Sequence, residues 1–116
     1  MPVLLQTAMN EKLFQVIWTH TAQQDLKRIM QFIAADSEAR AKEIYSAIKE
    51  KAANLFLLPS RGRIVPELRE IGVSMYRELV CPPWRIIYKI EESRVWVLAV
   101  FDGRRNIEDI LFERLV

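Results

Sequence analysis

The sequence of 116 residues predicts an α+β domain, and three stretches carry that prediction. Two helix-period apolar stripes follow one another between residues 21 and 55. Residues 84–91 alternate: Trp84, Ile86, Tyr88 and Ile90 fall on one side, Arg85, Ile87, Lys89 and Glu91 on the other, as in a strand that buries one face. From Val95 to Phe101 both sides are apolar, which predicts a central strand covered above and below. The resulting order is an N-terminal strand, an antiparallel helical hairpin, a three- to four-stranded antiparallel sheet and a C-terminal helix. It is read as a sandwich with its helices on one face.

Residues 1–12 have no strong period and are expected to form a flexible arm, with residues 13–116 as a single domain. Phe14, Val16 and Trp18 alternate with Gln15, Ile17 and Thr19 as a first strand. Thr21 and Gln24 have the spacing of a capping box, so a helix should begin there, with Leu26, Ile29, Met30 and Ile33 on one face. Asp36-Ser37 interrupts and caps a second helix, whose stripe is Ala41, Ile44, Tyr45, Ile48, Ala52 and Leu55, and Pro59 is its expected stop. So short a link folds the two helices back on each other. Leu58 to Pro66 reads as a stiff exposed loop carrying Arg61 and Arg63 around Gly62. A short strand near Glu67 to Ile71 and a turn at Gly72 should follow, leading into the arginine-bearing strands. Asn106 is the expected cap of a last helix with Ile107, Ile110, Leu111 and Leu115 on its apolar side.

A hydrophobic fraction of 51% and a charged fraction of 28% are those of an ordinary globular protein with one core. The lone Cys81 excludes an intrachain disulfide and fits a reducing cytoplasm. No apolar run approaches the roughly 18 residues of a membrane helix, and no signal peptide is read at the N-terminus. Neither metal nor cofactor is expected. The net charge of +2 does not by itself argue for nucleic acid. Its distribution says more: nine of eleven arginines follow residue 60, whereas five of six lysines precede it. Arginine suits planar, bidentate contact with carboxylate or phosphate, and lysine a solvated face. Glu67, Glu70, Glu78, Glu91, Glu92 and Glu108 are on hand to pair with many of these arginines.

Five motifs in order, Ala22-Gln-Gln-Asp-Leu26, Pro59-Ser-Arg-Gly-Arg63, Tyr76-Arg77-Glu78-Leu79, Trp84-Arg85-Ile86-Ile87-Tyr88 and Gly103-Arg104-Arg105, make the chain resemble the RelE/ParE superfamily of bacterial type II toxins from Phe14 to Leu115. The resemblance implies a toxin neutralised by an antitoxin encoded beside it, in a complex that reaches operator DNA through the antitoxin. It also implies one of two activities. RelE-like members cut mRNA on the ribosome; ParE-like members poison DNA gyrase. Metal-free RNA cleavage needs a base, an acid and cations for the phosphorane. Arg77, Arg85 and Arg105 supply cations, with Glu78 or Tyr76 left to move protons.

The run Asn106 to Phe112 holds neither the tyrosine nor the histidine that RelE-like nucleases commonly use in this segment. His20 is remote in sequence and reads as an exposed residue beside a helix start, while Tyr88 shares the apolar face of its strand. Trp84 and Trp96 read as core aromatics. The nuclease set is incomplete, and the hairpin, the Pro-x-x-Gly-Arg loop and the terminal helix look more like ParE. The expectation is a gyrase-directed binder that docks through Arg61, Arg63, Arg77, Arg85, Arg104 and Arg105. Ile107, Ile110, Leu111 and Leu115 are the candidate antitoxin contacts. A ribosome-dependent endoribonuclease and an inactive antitoxin-binding relic are the alternatives.

Overall fold

The computed structural model describes residues 13–115, apart from the side chains of Leu111, Glu113 and Leu115; the expected arm at 1–12 lies outside the described residues. Its centre is a five-stranded sheet: β1 (Gln15–Trp18), β2 (Arg63–Ile64), β3 (Tyr76–Cys81), β4 (Trp84–Glu91) and β5 (Arg94–Asp102) stand in the order β1-β5-β4-β3-β2. The β2-β3, β3-β4 and β4-β5 pairs are antiparallel, and β1 adds to β5 in parallel, with Val16 opposite Val95 and Trp18 opposite Val97. The first strand is therefore an edge of the same sheet.

Strand β5 is apolar on both sides because it separates two cores. Ile86 and Tyr88 of β4 and Val95, Val97 and Val100 of β5 join one core, and Ile87, Ala99 and Phe101 the other. The register steps from Ile87↔Ala99 to Tyr88↔Val97, so Leu98 is the extra residue of a bulge. That bulge is why Val97 and Val100, three apart, share a face.

The first core is closed by the helical hairpin, α1 (His20–Ala34) and α2 (Glu38–Ala53). Ala22, Leu26, Ile48, Ala52 and Leu55 are buried against the sheet. Full burial of a side chain the size of Ile48 or Leu55 contributes about 1.5–3 kcal/mol. Ser37 caps α2 as expected, accepting from the Arg40 amide at 3.1 Å. Helix α1 starts earlier than the capping box suggested: Thr19, not Thr21, is the cap and accepts from the Ala22 amide at 3.1 Å. Helix α2 also ends before Pro59. The chain tightens into a 3₁₀ turn at Asn54–Phe56 that buries Leu55, and the Phe56 carbonyl accepts from the Phe14 amide at 2.8 Å, tying the turn to the start of β1.

The second core is roofed by α3 (Pro66–Arg69) and α4 (Ile107–Leu115), which supply Leu68, Ile107 and Ile110, with Val65 just ahead of α3. Helices thus cover both faces of the sheet, whereas the sequence reading put them on one. The strand expected near Glu67 to Ile71 is replaced by α3, since Pro66 stands in its first turn with its φ already set for a helix. The strand lies just upstream, at Arg63–Ile64. Gly72 makes the expected turn with φ +82°, and Asn106 caps α4, accepting from the Glu108 amide at 3.0 Å.

Beyond the end of β1, the exposed edge of β5 is closed by side chains. Asp25 of α1 accepts from the Val100 amide at 3.0 Å and takes a two-pronged ion pair from Arg114 of α4 at 2.6 and 2.7 Å. At the opposite edge, Lys51 of α2 donates to the Val80 carbonyl of β3 at 2.7 Å. Both contacts occupy backbone groups that open edges leave for stray strands. Among the described residues no helix is long and apolar enough to cross a membrane.

Candidate functional site

The arginines expected to form one positive face are divided by the pleat. Arg77 is paired with Tyr88, and Glu78 with Ile87. Cross-strand partners share a face, so Arg77 lies on the hairpin side with Tyr88. Glu78, Arg85 and Arg63 lie on the α3/α4 side with Ile87.

Arg85 is buried, with 8% of its surface exposed. Its two terminal nitrogens donate to the two carboxylate oxygens of Glu67, at 2.8 and 3.0 Å. Its Nε donates to Glu78 Oε2 at 3.2 Å, and Nη2 also bonds Glu78 Oε1. Arg63 reaches Glu78 Oε2 from β2 through Nε and Nη2, at 3.3 and 3.1 Å. Two guanidiniums and two carboxylates neutralise one another there, which is how a buried charge is made tolerable. The Glu67 hydrogen bond raises Arg85 further above its already high value, and the reciprocal bond from Arg85 holds the Glu67 carboxyl below its usual range. The Arg85 guanidinium also lies 5.7 Å from the centre of the Phe101 ring. The sequence reading had this arginine facing outward; in the fold it is an interior brace between β4, β3 and α3.

On the other face, Arg77 and Tyr88 hold the Pro59–Arg63 loop. Arg77 Nη1 donates to the carbonyls of Ser60 and Gly62 at 3.3 and 2.7 Å. The Tyr88 hydroxyl donates to the Pro59 carbonyl at 2.6 Å and accepts from the Gly62 amide at 3.0 Å. Its ring is fully buried, as expected of the apolar face, and burial raises the phenol's pKa. Arg61 projects from the loop to solvent without an ion pair among the described residues.

The turn after β5 lies over the stem of Arg85. Gly103 donates to the Pro83 carbonyl at 2.7 Å, and a Cβ on it would stand 3.1 Å from Arg85 Cδ. Arg104 folds back on Asp102, donating from Nε and Nη2 at 2.9 and 2.6 Å, and these bonds hold the Asp102 carboxyl down to about 2. Arg105 is exposed and, among the described residues, makes no ion pair.

Of the nuclease candidates Arg77, Glu78, Arg85 and Arg105, the fold therefore brings Glu78 and Arg85 together as an ion pair and sets Arg77 on the other face. The Glu78 side chain has no exposed surface. Tyr76 is half-buried against the second core. His20 is exposed beyond β1, at the opposite edge of the sheet from β2 and the Pro59–Arg63 loop. Among the described residues no group of three or more His, Cys, Asp or Glu side chains could hold a metal.

The candidate antitoxin contacts on α4 also divide. Ile107 and Ile110 are buried in the second core, and the side chains of Leu111 and Leu115 lie outside the described residues. An apolar depression opens elsewhere, as a groove of about 830 Å³ between α1 and α2 with Trp18, Leu26, Met30, Ala41 and Tyr45 on its walls. Lys27, Lys42 and Lys49 also line it, and the Lys49 ammonium lies 4.5 Å from the centre of the Trp18 ring. Sequence reasoning missed this groove, because it treated Tyr45 as core when nearly half of it is exposed. It also missed Asp25, although a carboxylate between Ala22 and Leu26 on the buried stripe was a visible signal.

The model of the family described as ParE toxin of type II toxin–antitoxin system, parDE, matches residues 16–107. Toxin RelE2 of Caulobacter vibrioides is 31% identical over 92 residues, spanning 78% of this chain and 97% of that protein. Among solved structures, the chromosomal ParDE toxin–antitoxin system of P. aeruginosa aligns with a TM-score of 0.64 at 18% identity, covering 79% of this chain and 98% of that one. The RelBE2 toxin–antitoxin complex of Mycobacterium tuberculosis aligns with a TM-score of 0.57 at 23% identity, covering 78% and 91%. These two share the fold of the strand, hairpin, sheet and terminal helix described above. With the family match over most of the domain and the relative aligned over nearly its whole length, the chain belongs to the ParE toxins of type II toxin–antitoxin systems, within the RelE/ParE superfamily.

Proposed function

We propose that this toxin acts by docking on DNA gyrase and performs no bond chemistry of its own. The observation that carries the reading is the mutual neutralisation of Arg85 and Glu78 in the interior. A nuclease would need that guanidinium on the phosphate and that carboxylate free to exchange protons. Of the arginines expected to dock, Arg61 and Arg105 are exposed with no ion pair among the described residues, which suits contact with an acidic surface. Purified toxin should block supercoiling by gyrase or trap its cleavage complexes. Gyrase that supercoils normally under a large excess of toxin would refute the proposal.

The relative named Toxin RelE2 favours a second reading, a ribosome-dependent mRNA endoribonuclease. Primer extension after induction separates the two, because only the nuclease produces cuts within codons.

The partner is a cognate antitoxin, and its seat is the groove between α1 and α2. Apolar walls flanked by Lys27, Lys42 and Lys49 fit an amphipathic helix with acidic margins. Toxin and antitoxin meet in the cytoplasm, and operator DNA is reached through the antitoxin.

A further inference from the structure

Arg61 is bracketed by anchors that come from the sheet. The carbonyls of its two neighbours, Ser60 and Gly62, both accept from the Arg77 guanidinium. One residue further out, the Pro59 carbonyl accepts from Tyr88, and the Gly62 amide donates back to the same hydroxyl. The approach is so close that a Cβ on Gly62 would stand 2.5 Å from both the Glu78 carbonyl oxygen and the Tyr88 hydroxyl. Only glycine allows it. The loop backbone is thus ordered before any partner arrives, which removes an ordering cost from binding. Arg77 is turned inward to the loop, while Arg61 is turned out.

We infer that Arg61 is the loop residue that touches the target, and that Arg77 and Tyr88 are positioning residues that act through it. This rests on the reading of the loop as part of the docking surface, but not on the identity of the target. Sequence alone gave Arg61 and Arg77 the same role; the geometry separates them.

The test uses the full chain induced without antitoxin, with growth arrest titrated against inducer, so that any cellular target is reported. Arg61→Ala, Arg77→Met and Gly62→Ala should each weaken arrest about tenfold or more, the scale of an interface hot spot. The double variant Arg61→Ala/Arg77→Met should be no weaker than Arg61→Ala alone, since a positioning residue has nothing left to position. Losses that multiply would show Arg77 touching the target itself and overturn the inference. Full toxicity of Arg61→Ala, or no arrest by the wild-type chain, would overturn it as well. In the purified protein, Tyr88→Phe keeps the buried ring and removes the acceptor of the Gly62 amide. That amide should then exchange at least about tenfold faster than the accompanying loss of global stability accounts for; a rate that changes no more than the globally protected amides do would refute the clamp. Gyrase found insensitive, with the epistasis intact, would reject the target and leave the positioning roles standing.

Discussion

Arg77 and Arg85 sit on neighbouring strands yet point to opposite faces of the sheet, Arg77 toward the Pro59–Arg63 loop and Arg85 into a cage of two glutamates. A pair that looks in sequence like one cationic patch is two separate devices, one shaping a loop and one bracing an interior. Substitutions at the two positions should therefore fail for different reasons.

Arg85→Met takes from Glu67 its guanidinium and leaves the interior Glu78 with only the largely exposed Arg63, and breaking a buried pair from one side destabilises by about 3–5 kcal/mol at most. The variant should melt well below the wild type in chemical denaturation. Glu78→Met added to it removes the buried charge that Arg63 alone is left to balance and should recover part of the loss. A stable Arg85→Met protein with altered activity alone would return Arg85 to the role of surface contact.

Asp102 and Glu67 set an acid limit. Each folded carboxyl is depressed, Asp102 from 3.8 to about 2 mainly by the Arg104 hydrogen bond, and Glu67 from 4.5 mainly by that of Arg85. A group whose folded pKa is lowered contributes stability that is present above its unfolded value and is lost as pH falls through the folded one. For Asp102 that window runs from 3.8 down to about 2. Carboxyl titration followed by NMR should show Arg104→Ala returning Asp102 part of the way toward 3.8, since the amide of residue 104 still donates to it. Persistence near 2 in that variant would mean another donor holds it.

Asp25 should behave as a structural carboxylate. It satisfies the Val100 amide at a bulged edge and pins Arg114 at the end of α4. Asp25→Ala leaves the Val100 amide without its acceptor and Arg114 with only the Leu98 carbonyl at 3.4 Å, and should destabilise by about 3 kcal/mol. Asp25→Asn keeps an acceptor for Val100 and should lose less. Hydrogen exchange at Val100 and through α4 reads the two effects separately.

How much of this was legible beforehand depends on what each feature required. The alternation at Trp84 to Glu91 fixed which side of β4 enters the hairpin core, and Trp84, Ile86, Tyr88 and Ile90 are all found there. The second cover was implied as well: Val95 to Phe101, apolar on both sides, demands two roofs, and placing every helix on one face contradicted that demand. The parity of Arg77 against Arg85 was hidden, because it is set by the β3-β4 register and no single strand encodes its partner's offset. The Tyr88 clamp was hidden for a related reason. A tyrosine on an apolar face declares a buried ring, but its hydroxyl's partner lies 29 residues away in a loop.

The apolar side of α4 offers a direct contest between core and interface. Ile110 is 6% exposed and packs with Phe101 and Leu68. Ile110→Ala should destabilise the toxin by about 3 kcal/mol, the scale for deleting a buried aliphatic side chain. The folded fraction should bind antitoxin unchanged. Weakened binding at unchanged stability would instead make this helix face the antitoxin's contact.

The groove between α1 and α2 makes the complementary prediction. Lys42→Glu and Lys49→Glu reverse charge beside its apolar walls, and Lys49 also gives up its place over the Trp18 ring. A half-buried cation–π contact contributes about 0.5–2 kcal/mol, so the fold should survive both changes. An acidic antitoxin segment would meet repulsion where it now meets attraction. Affinity measured by calorimetry should fall about tenfold or more, and raising salt should narrow the gap between variant and wild type. Growth arrest without antitoxin should be unaffected, because the groove and the Pro59–Arg63 loop are separate surfaces. If the variants bound antitoxin normally while Ile110→Ala did not, the antitoxin would belong on α4 and the groove would lose its assigned occupant.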